Sequence, residues 1–171
     1  MKTVVFSLLI AIFCLPVINS CTVEPDPKAE MNLTATLLGN PQCKGIRSAD
    51  FADGTPNTQS CVEFSYNQAL KILTLKHINA GFNCCPDSLS CTVTFRNDTI
   101  FIQEYEKNMG CKCNCLYDLD MEIEGVEPGK YLLKLIEPYA MEQQQLCFEV
   151  DLKNQNQGSY CVSRLIYPWG Q

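Results

Sequence analysis

The chain has 171 residues, 46% of them hydrophobic, with a formal net charge of −6 and an isoelectric point near 4.8. An acidic chain with no lysine- or arginine-rich run is poorly suited to nucleic acid or an anionic membrane surface. Twelve cysteines against a single histidine make thiols the reactive side chains in surplus.

The first 20 residues have the parts of an export signal. Lys2 supplies a positive start, and Val4 to Leu15 form an apolar run too short to span a bilayer. Pro16 ends the run, and Ile18-Asn19-Ser20-Cys21 follows. That tetrapeptide matches a bacterial lipobox at Ile18 and Ser20 and departs from it at Asn19. The expected outcome is cleavage before Cys21 and lipid on its thiol, placing an anchored lipoprotein in the cell envelope. The alternative is ordinary cleavage after Ser20 and a secreted chain with an unmodified Cys21. Residues 21–30 carry Glu24, Pro25, Asp26 and Pro27 and read as a polar tether. Residues 31–171 are long enough for one compact domain with a substantial core.

Within that domain, short runs of apolar and β-branched residues are separated by turn-forming clusters. Cys61 to Tyr66 and Ile72 to Ile78 are the first two strand candidates. Leu89 to Phe95 and Thr99 to Tyr105 flank Arg96-Asn97-Asp98 and form a hairpin signature. Leu116 to Glu124 places Leu119, Met121 and Ile123 on one face, and Tyr131 to Ile136 returns after a turn over Gly125 to Gly129. Leu146 to Leu152 and Ser159 to Ile166 flank the polar loop Asn154 to Gly158. Many short strands with turns between them predict an all-β, antiparallel, sandwich-like domain. Helix-compatible stretches are limited to Tyr66 to Leu73 and Pro138 to Gln145.

With Cys21 lipidated, ten thiols remain and can pair completely: Cys43, Cys61, Cys84, Cys85, Cys91, Cys111, Cys113, Cys115, Cys147 and Cys161. Export and an even count together predict a disulfide framework. Cys147 and Cys161 lie symmetrically about the last loop and are expected to bridge a hairpin. Cys43 and Cys61 enclose the Asp50 to Pro56 loop and pair by elimination. Residues two apart in an extended segment are separated by about 7 Å, too far to bond each other comfortably. The triplets Cys84/Cys85/Cys91 and Cys111/Cys113/Cys115 are therefore expected to bond to one another, in an order the spacing leaves open. The alternative use of those six thiolates is a zinc or iron–sulfur site. It is disfavoured by the absent two-residue spacers and by an oxidising compartment. No Cys-x-x-Cys pair is present to carry thiol exchange.

Other chemistry has weaker support. Asp118, Asp120, Glu122 and Glu124 line one strand face, where calcium or a cationic partner is possible. A solvated stripe neutralised by Lys130 and Lys134 is the plainer expectation. His77 is expected to be a structural histidine, since no nucleophile-elbow motif accompanies it. A hydrolase using two carboxylates is a remote alternative without an address in the chain. Tyr139, Tyr167 and Trp169 suit stacking on a peptide or glycan, or core packing. No catalytic residue and no cofactor is indicated.

Three segments carry a resemblance: His77-Ile78-Asn79-Ala80 through Asn83-Cys84-Cys85-Pro86, Cys111-Lys112-Cys113-Asn114-Cys115-Leu116-Tyr117-Asp118-Leu119, and Gly129-Lys130-Tyr131. Together with Arg164 to Trp169 they resemble uncharacterised cysteine-rich lipoproteins of Gram-negative, gut-type bacteria. The resemblance covers most of the chain past Leu75. It implies lipid attachment at Cys21 and no activity. The expected function is thus a non-enzymatic, envelope-anchored binding or structural module, with thiolate metal binding as the alternative.

Overall fold

A computed structural model describes residues 30–44 and 54–170. The expected signal segment, Cys21 with the expected tether, and most of the Asp50 to Pro56 loop lie outside the described residues. Among the described residues there are nine strands: β1 (Thr34–Leu38), β2 (Gln59–Asn67), β3 (Ile72–Asn83), β4 (Pro86–Arg96), β5 (Thr99–Met109), β6 (Asn114–Glu124), β7 (Lys130–Ile136), β8 (Cys147–Asp151) and β9 (Gln157–Ser163). They form a five-stranded sheet in the order β1-β6-β3-β2-β9 and a four-stranded sheet in the order β4-β5-β7-β8. The all-β, sandwich-like expectation holds, with one refinement: β5 pairs β7 in parallel. Among the described residues no helix is long and apolar enough to cross a membrane.

Alternation sets which face of each strand is buried. Leu73 and Leu75 of β3, Leu119, Met121 and Ile123 of β6, Ile100 and Ile102 of β5, and Leu133 and Leu135 of β7 are all at most 1% exposed and fill the space between the sheets. The two helix-compatible stretches are turns instead. Asn67 Oδ1 accepts from the backbone N–H groups of Ala69 and Leu70 and closes the β2–β3 hairpin, an arrangement that competes with helix. The Pro138 to Gln145 segment carries Met141 at a φ of 49°, outside right-handed helical space.

The chain crosses between sheets at two places where a simple hairpin was expected. Gly125, at a φ of 84°, lets the chain leave β6 with its Cα close to the Asn32 carbonyl. It then enters β7 in the other sheet, so Lys130 and Lys134 do not face the β6 acidic stripe. Lys130 meets Asp151 instead, at 3.6 Å. Asp118 pairs with Lys44, and Asp120 lies opposite Lys76 in the register. The polar loop after β8 also crosses over, leaving β8 and β9 on edges of different sheets. The expected Cys147–Cys161 bridge is not formed, because Cys161 faces and bonds Cys61 of β2.

β3 is the longest strand and is irregular. Its register against β6 shifts between His77↔Leu119 and Ala80↔Tyr117, so two residues oppose one. Asn79 occupies this bulge at a φ of 61°. Past the bulge β3 is buried on both faces: Phe82 points to the core, and the chain end from Arg164 to Gly170 crosses the outer face. Trp169 is fully buried there, its Nε1 donating to the Asn79 carbonyl at 2.7 Å. Trp169 is therefore a packing residue and not a ligand platform. Gly81 makes the contact possible, because a Cβ at this position would lie 2.5 Å from the Trp169 ring. Gly81→Ala is expected to lower stability by about 1–3 kcal/mol through overpacking, measured by denaturant unfolding with disulfides intact.

Candidate functional site

The polar centre of the molecule lies inside the sandwich. His77 follows Leu73 and Leu75 at the strand period and so points inward, as Ser60 does from β2 and Glu104 does from β5. Their exposures are 0%, 0% and 1%. Ser60 Oγ is 2.8 Å from His77 Nε2, and Glu104 Oε1 is 2.6 Å from His77 Nδ1. Glu137, just past β7, brings Oε1 to 3.6 Å from His77 Nε2 and binds Arg164 through Oε2. Arg164 also donates to the Gln144 carbonyl, and its guanidinium lies 5.1 Å from the Trp169 ring centroid. Four ionisable side chains from both sheets are thus joined in one buried cluster.

The charges balance when His77 is protonated: two cations face two carboxylates. Burial disfavours the imidazolium, but the charge and hydrogen bond of Glu104, aided by Glu137, outweigh burial and Arg164 and raise the His77 pKa above 6.5. Glu137 is raised by its own burial, against the pull of His77 and Arg164. An imidazolium donates through both nitrogens, to Glu104 from Nδ1 and to Ser60 from Nε2. The Ser60–His77–Glu104 distances resemble a nucleophile, base and orienting carboxylate. Ser60 is fully buried, however, and no face of it is open to a substrate. The cluster works as a clasp between sheets, which agrees with the structural reading of His77.

The second concentration of chemistry is the cysteine-rich tip. Among the described residues there are four disulfides: Cys43–Cys115, Cys61–Cys161, Cys84–Cys113 and Cys85–Cys111. The two triplets do bond to each other at the ends of the β4–β5 hairpin, through Cys84 and Cys85. The Cys43–Cys61 pairing is overturned. Cys61 stands directly opposite Cys161 on neighbouring strands, while Lys44 bridges to Leu116 of β6 and so delivers Cys43 to Cys115. Cys91 and Cys147 are free thiols, contrary to complete pairing. They sit on β4 and β8, the two edges of one sheet, separated by three strand steps of about 4.8 Å and offset along the strands by the stretch from Phe101 to Glu104, too far apart to bond. Burial and then the Glu104 charge push the Cys91 thiol up to about 11, which disfavours it as a nucleophile or ligand.

Among the six thiols of the metal alternative, Cys91 is therefore remote, and Cys43 takes a place at the tip that the spacing did not suggest. Sγ atoms of Cys43, Cys84 and Cys115 all lie within 4.8 Å of one another. At the opposite end of the β4–β5 hairpin is an open cleft of about 520 Å³, lined in part by Asp98, Lys130, Tyr131, Glu149 and Asp151. Tyr139 and Tyr167 are committed elsewhere, donating to Glu106 and to the Asn114 carbonyl.

Sequence reasoning missed Ser60, Glu104, Glu137 and Arg164. A signal for Glu104 was present, since it continues the inward phase of Ile100 and Ile102. No comparable signal marks Arg164, which follows the last strand. Searches of protein families, curated proteins and solved structures find no match to this chain.

The raised His77 pKa has a direct consequence. A folded-state value above the unfolded one stabilises the protein fully below about pH 6.5, and that contribution is lost as pH rises through the folded value. Glu137, also raised, acts with the same sign. His77→Gln is expected to cost about 3–5 kcal/mol at pH 6 and to flatten this alkaline loss. The double variant H77Q/E104Q should recover part of that cost, because no uncompensated carboxylate then faces position 77. Equilibrium unfolding between pH 5 and pH 9 measures all three.

Proposed function

We propose that this chain is an exported lipoprotein, anchored through Cys21, whose disulfide-stapled domain is a non-enzymatic binding or structural module of the cell envelope. The observation that carries the reading is the set of four disulfides closing eight cysteines of the domain. Such bonds persist in oxidising compartments and are rare where cellular thiols stay reduced. The leader, the lipobox-like Ile18 to Cys21 and the resemblance to cysteine-rich lipoproteins support lipid at Cys21. The sealed Ser60–His77–Glu104 cluster supports a role other than hydrolysis. A peptide or glycan ligand has its best support in the cleft beside Tyr131, where an aromatic ring is flanked by several hydrogen-bonding side chains.

Intact mass of the mature protein from its native envelope tests this reading. The expected result is a diacyl- or triacylglyceryl adduct on Cys21. Two thiols, Cys91 and Cys147, should alkylate on denaturation alone, and eight more only after reduction. Cys21→Ala should release the protein from the membrane fraction. An unmodified Cys21, or a full set of free thiols before reduction, overturns the reading.

A further inference from the structure

We infer that the cysteine-rich tip has a second closed state, in which Cys43, Cys84, Cys113 and Cys115 bind one zinc ion as a tetrathiolate once their two disulfides are reduced. The inference goes beyond the binding-module reading and does not rest on lipid at Cys21.

The four sulfurs belong to two disulfides packed side by side. Sγ of Cys43, Cys84 and Cys115 lie within 4.8 Å of one another, and Cys113 is bonded to Cys84. A tetrahedral zinc with bonds of about 2.3 Å sets its sulfurs about 3.8 Å apart, so Cys43, Cys84 and Cys115 are already near ligand spacing. Cys113, which stands outside that group, must turn its sulfur inward once its bond to Cys84 opens. The paired Cα atoms are 5.9 Å apart for Cys43 and Cys115 and 5.6 Å apart for Cys84 and Cys113.

Backbone hydrogen bonds that do not depend on the S–S bonds hold these positions. Cys84 N donates to the Cys113 carbonyl at 2.9 Å, and Lys44 N donates to the Leu116 carbonyl at 2.8 Å. Asn83 braces the same turn: its Nδ2 donates to the Cys111 carbonyl at 2.7 Å, and its Oδ1 accepts from Cys85 N at 3.0 Å. The missing two-residue spacers are no obstacle, because the ligands come from three separate segments. Only Cys113 and Cys115 are close in sequence, Cys113 exposed just before β6 and Cys115 buried at its start.

The site is reachable. Cys43 is exposed and lines a cleft of about 200 Å³ shared with Cys84 and Cys85. The third disulfide of the tip, Cys85–Cys111, lies outside the sulfur group and supplies no ligand. In the exchange, each of the two disulfides takes two electrons and two protons from a dithiol reductant, which closes to its own disulfide. The four thiols then release four protons to the medium as four Zn–S bonds form, leaving a centre of charge −2. The tip is stapled in either state, by sulfur in oxidising surroundings and by zinc in reducing ones.

The test uses the mature full-length chain, reduced under argon with a phosphine that does not compete for metal and titrated with cobalt(II). One equivalent should bind with thiolate-to-metal charge transfer and the intense visible bands of a tetrahedral site, and zinc should displace it. Cys43→Ser and Cys115→Ser should each abolish the four-thiolate spectrum, whereas C85S/C111S should retain it. Wild-type protein gives a readout independent of any variant's folding. Zinc should protect Cys43, Cys84, Cys113 and Cys115 from alkylation while Cys85 and Cys111 stay reactive, as mapped by peptide mass. Absence of cobalt binding overturns the inference. So does protection of a different thiol set, or a site lost in C85S/C111S and kept in Cys43→Ser.

Discussion

Four ionisable side chains sealed between two sheets must cancel one another's charge, and much of this fold follows from that requirement. A buried carboxylate without a partner is strongly destabilising, so Glu104 and Glu137 need the cations His77 and Arg164 within reach. The four come from strand segments far apart in the chain. Their contacts join the two sheets, while Glu104 Oε2, Glu137 Oε1 and Arg164 Nε find no hydrogen-bond partner among the described residues. The β3 bulge and the chain end take part in the same arrangement. The bulge places Asn79 where its carbonyl receives Trp169 Nε1, and Trp169 in turn covers the Arg164 guanidinium.

The disulfides complement this clasp within one sheet and at the tip. Cys61–Cys161 ties neighbouring strands of one sheet, and the remaining three are gathered at the tip. There β3, the start of β4, the end of β5 and the start of β6 converge around irregular chain. In the usual chain-entropy estimate each bridge contributes about 2–4 kcal/mol by restricting the unfolded state. Hydrogen bonds from Asn83 and the Cys84–Cys113 backbone pair order the tip as well. The geometry that brings two disulfides into contact is thus partly independent of the sulfur bonds, which is the condition for the same sulfurs to serve as ligands.

A large share of the architecture was legible in the residue pattern. Every strand from β2 to β9 was anticipated, because alternation and turn clusters are local properties, but β3 was ended at Ile78 and its stretch past the bulge to Asn83 was missed. The inward faces of β5 and β6 follow from the same alternation. β1 was not anticipated: its sequence Thr34-Ala35-Thr36-Leu37-Leu38 alternates weakly and is held as a strand by pairing with β6. The expected pairing of β6 with β7 and of β8 with β9 failed for one shared reason. A short polar connection is equally compatible with a hairpin and with a crossing to the other sheet, and the choice depends on which surface remains unfilled.

The sequence by itself determined the fold class, most of the strand positions and the bonding of Cys84 and Cys85 to the second cysteine triplet. Each rests on periodicity or spacing within a short stretch, where geometry is set by the backbone. Only the tertiary structure decided that Cys61 meets Cys161, that Cys43 meets Cys115 and that Cys91 and Cys147 stand on opposite edges of one sheet. It also decided that Glu104, Glu137 and Arg164 converge on His77. Those contacts join residues tens of positions apart, and their partners are fixed by strand order and register, which no local pattern in the chain encodes.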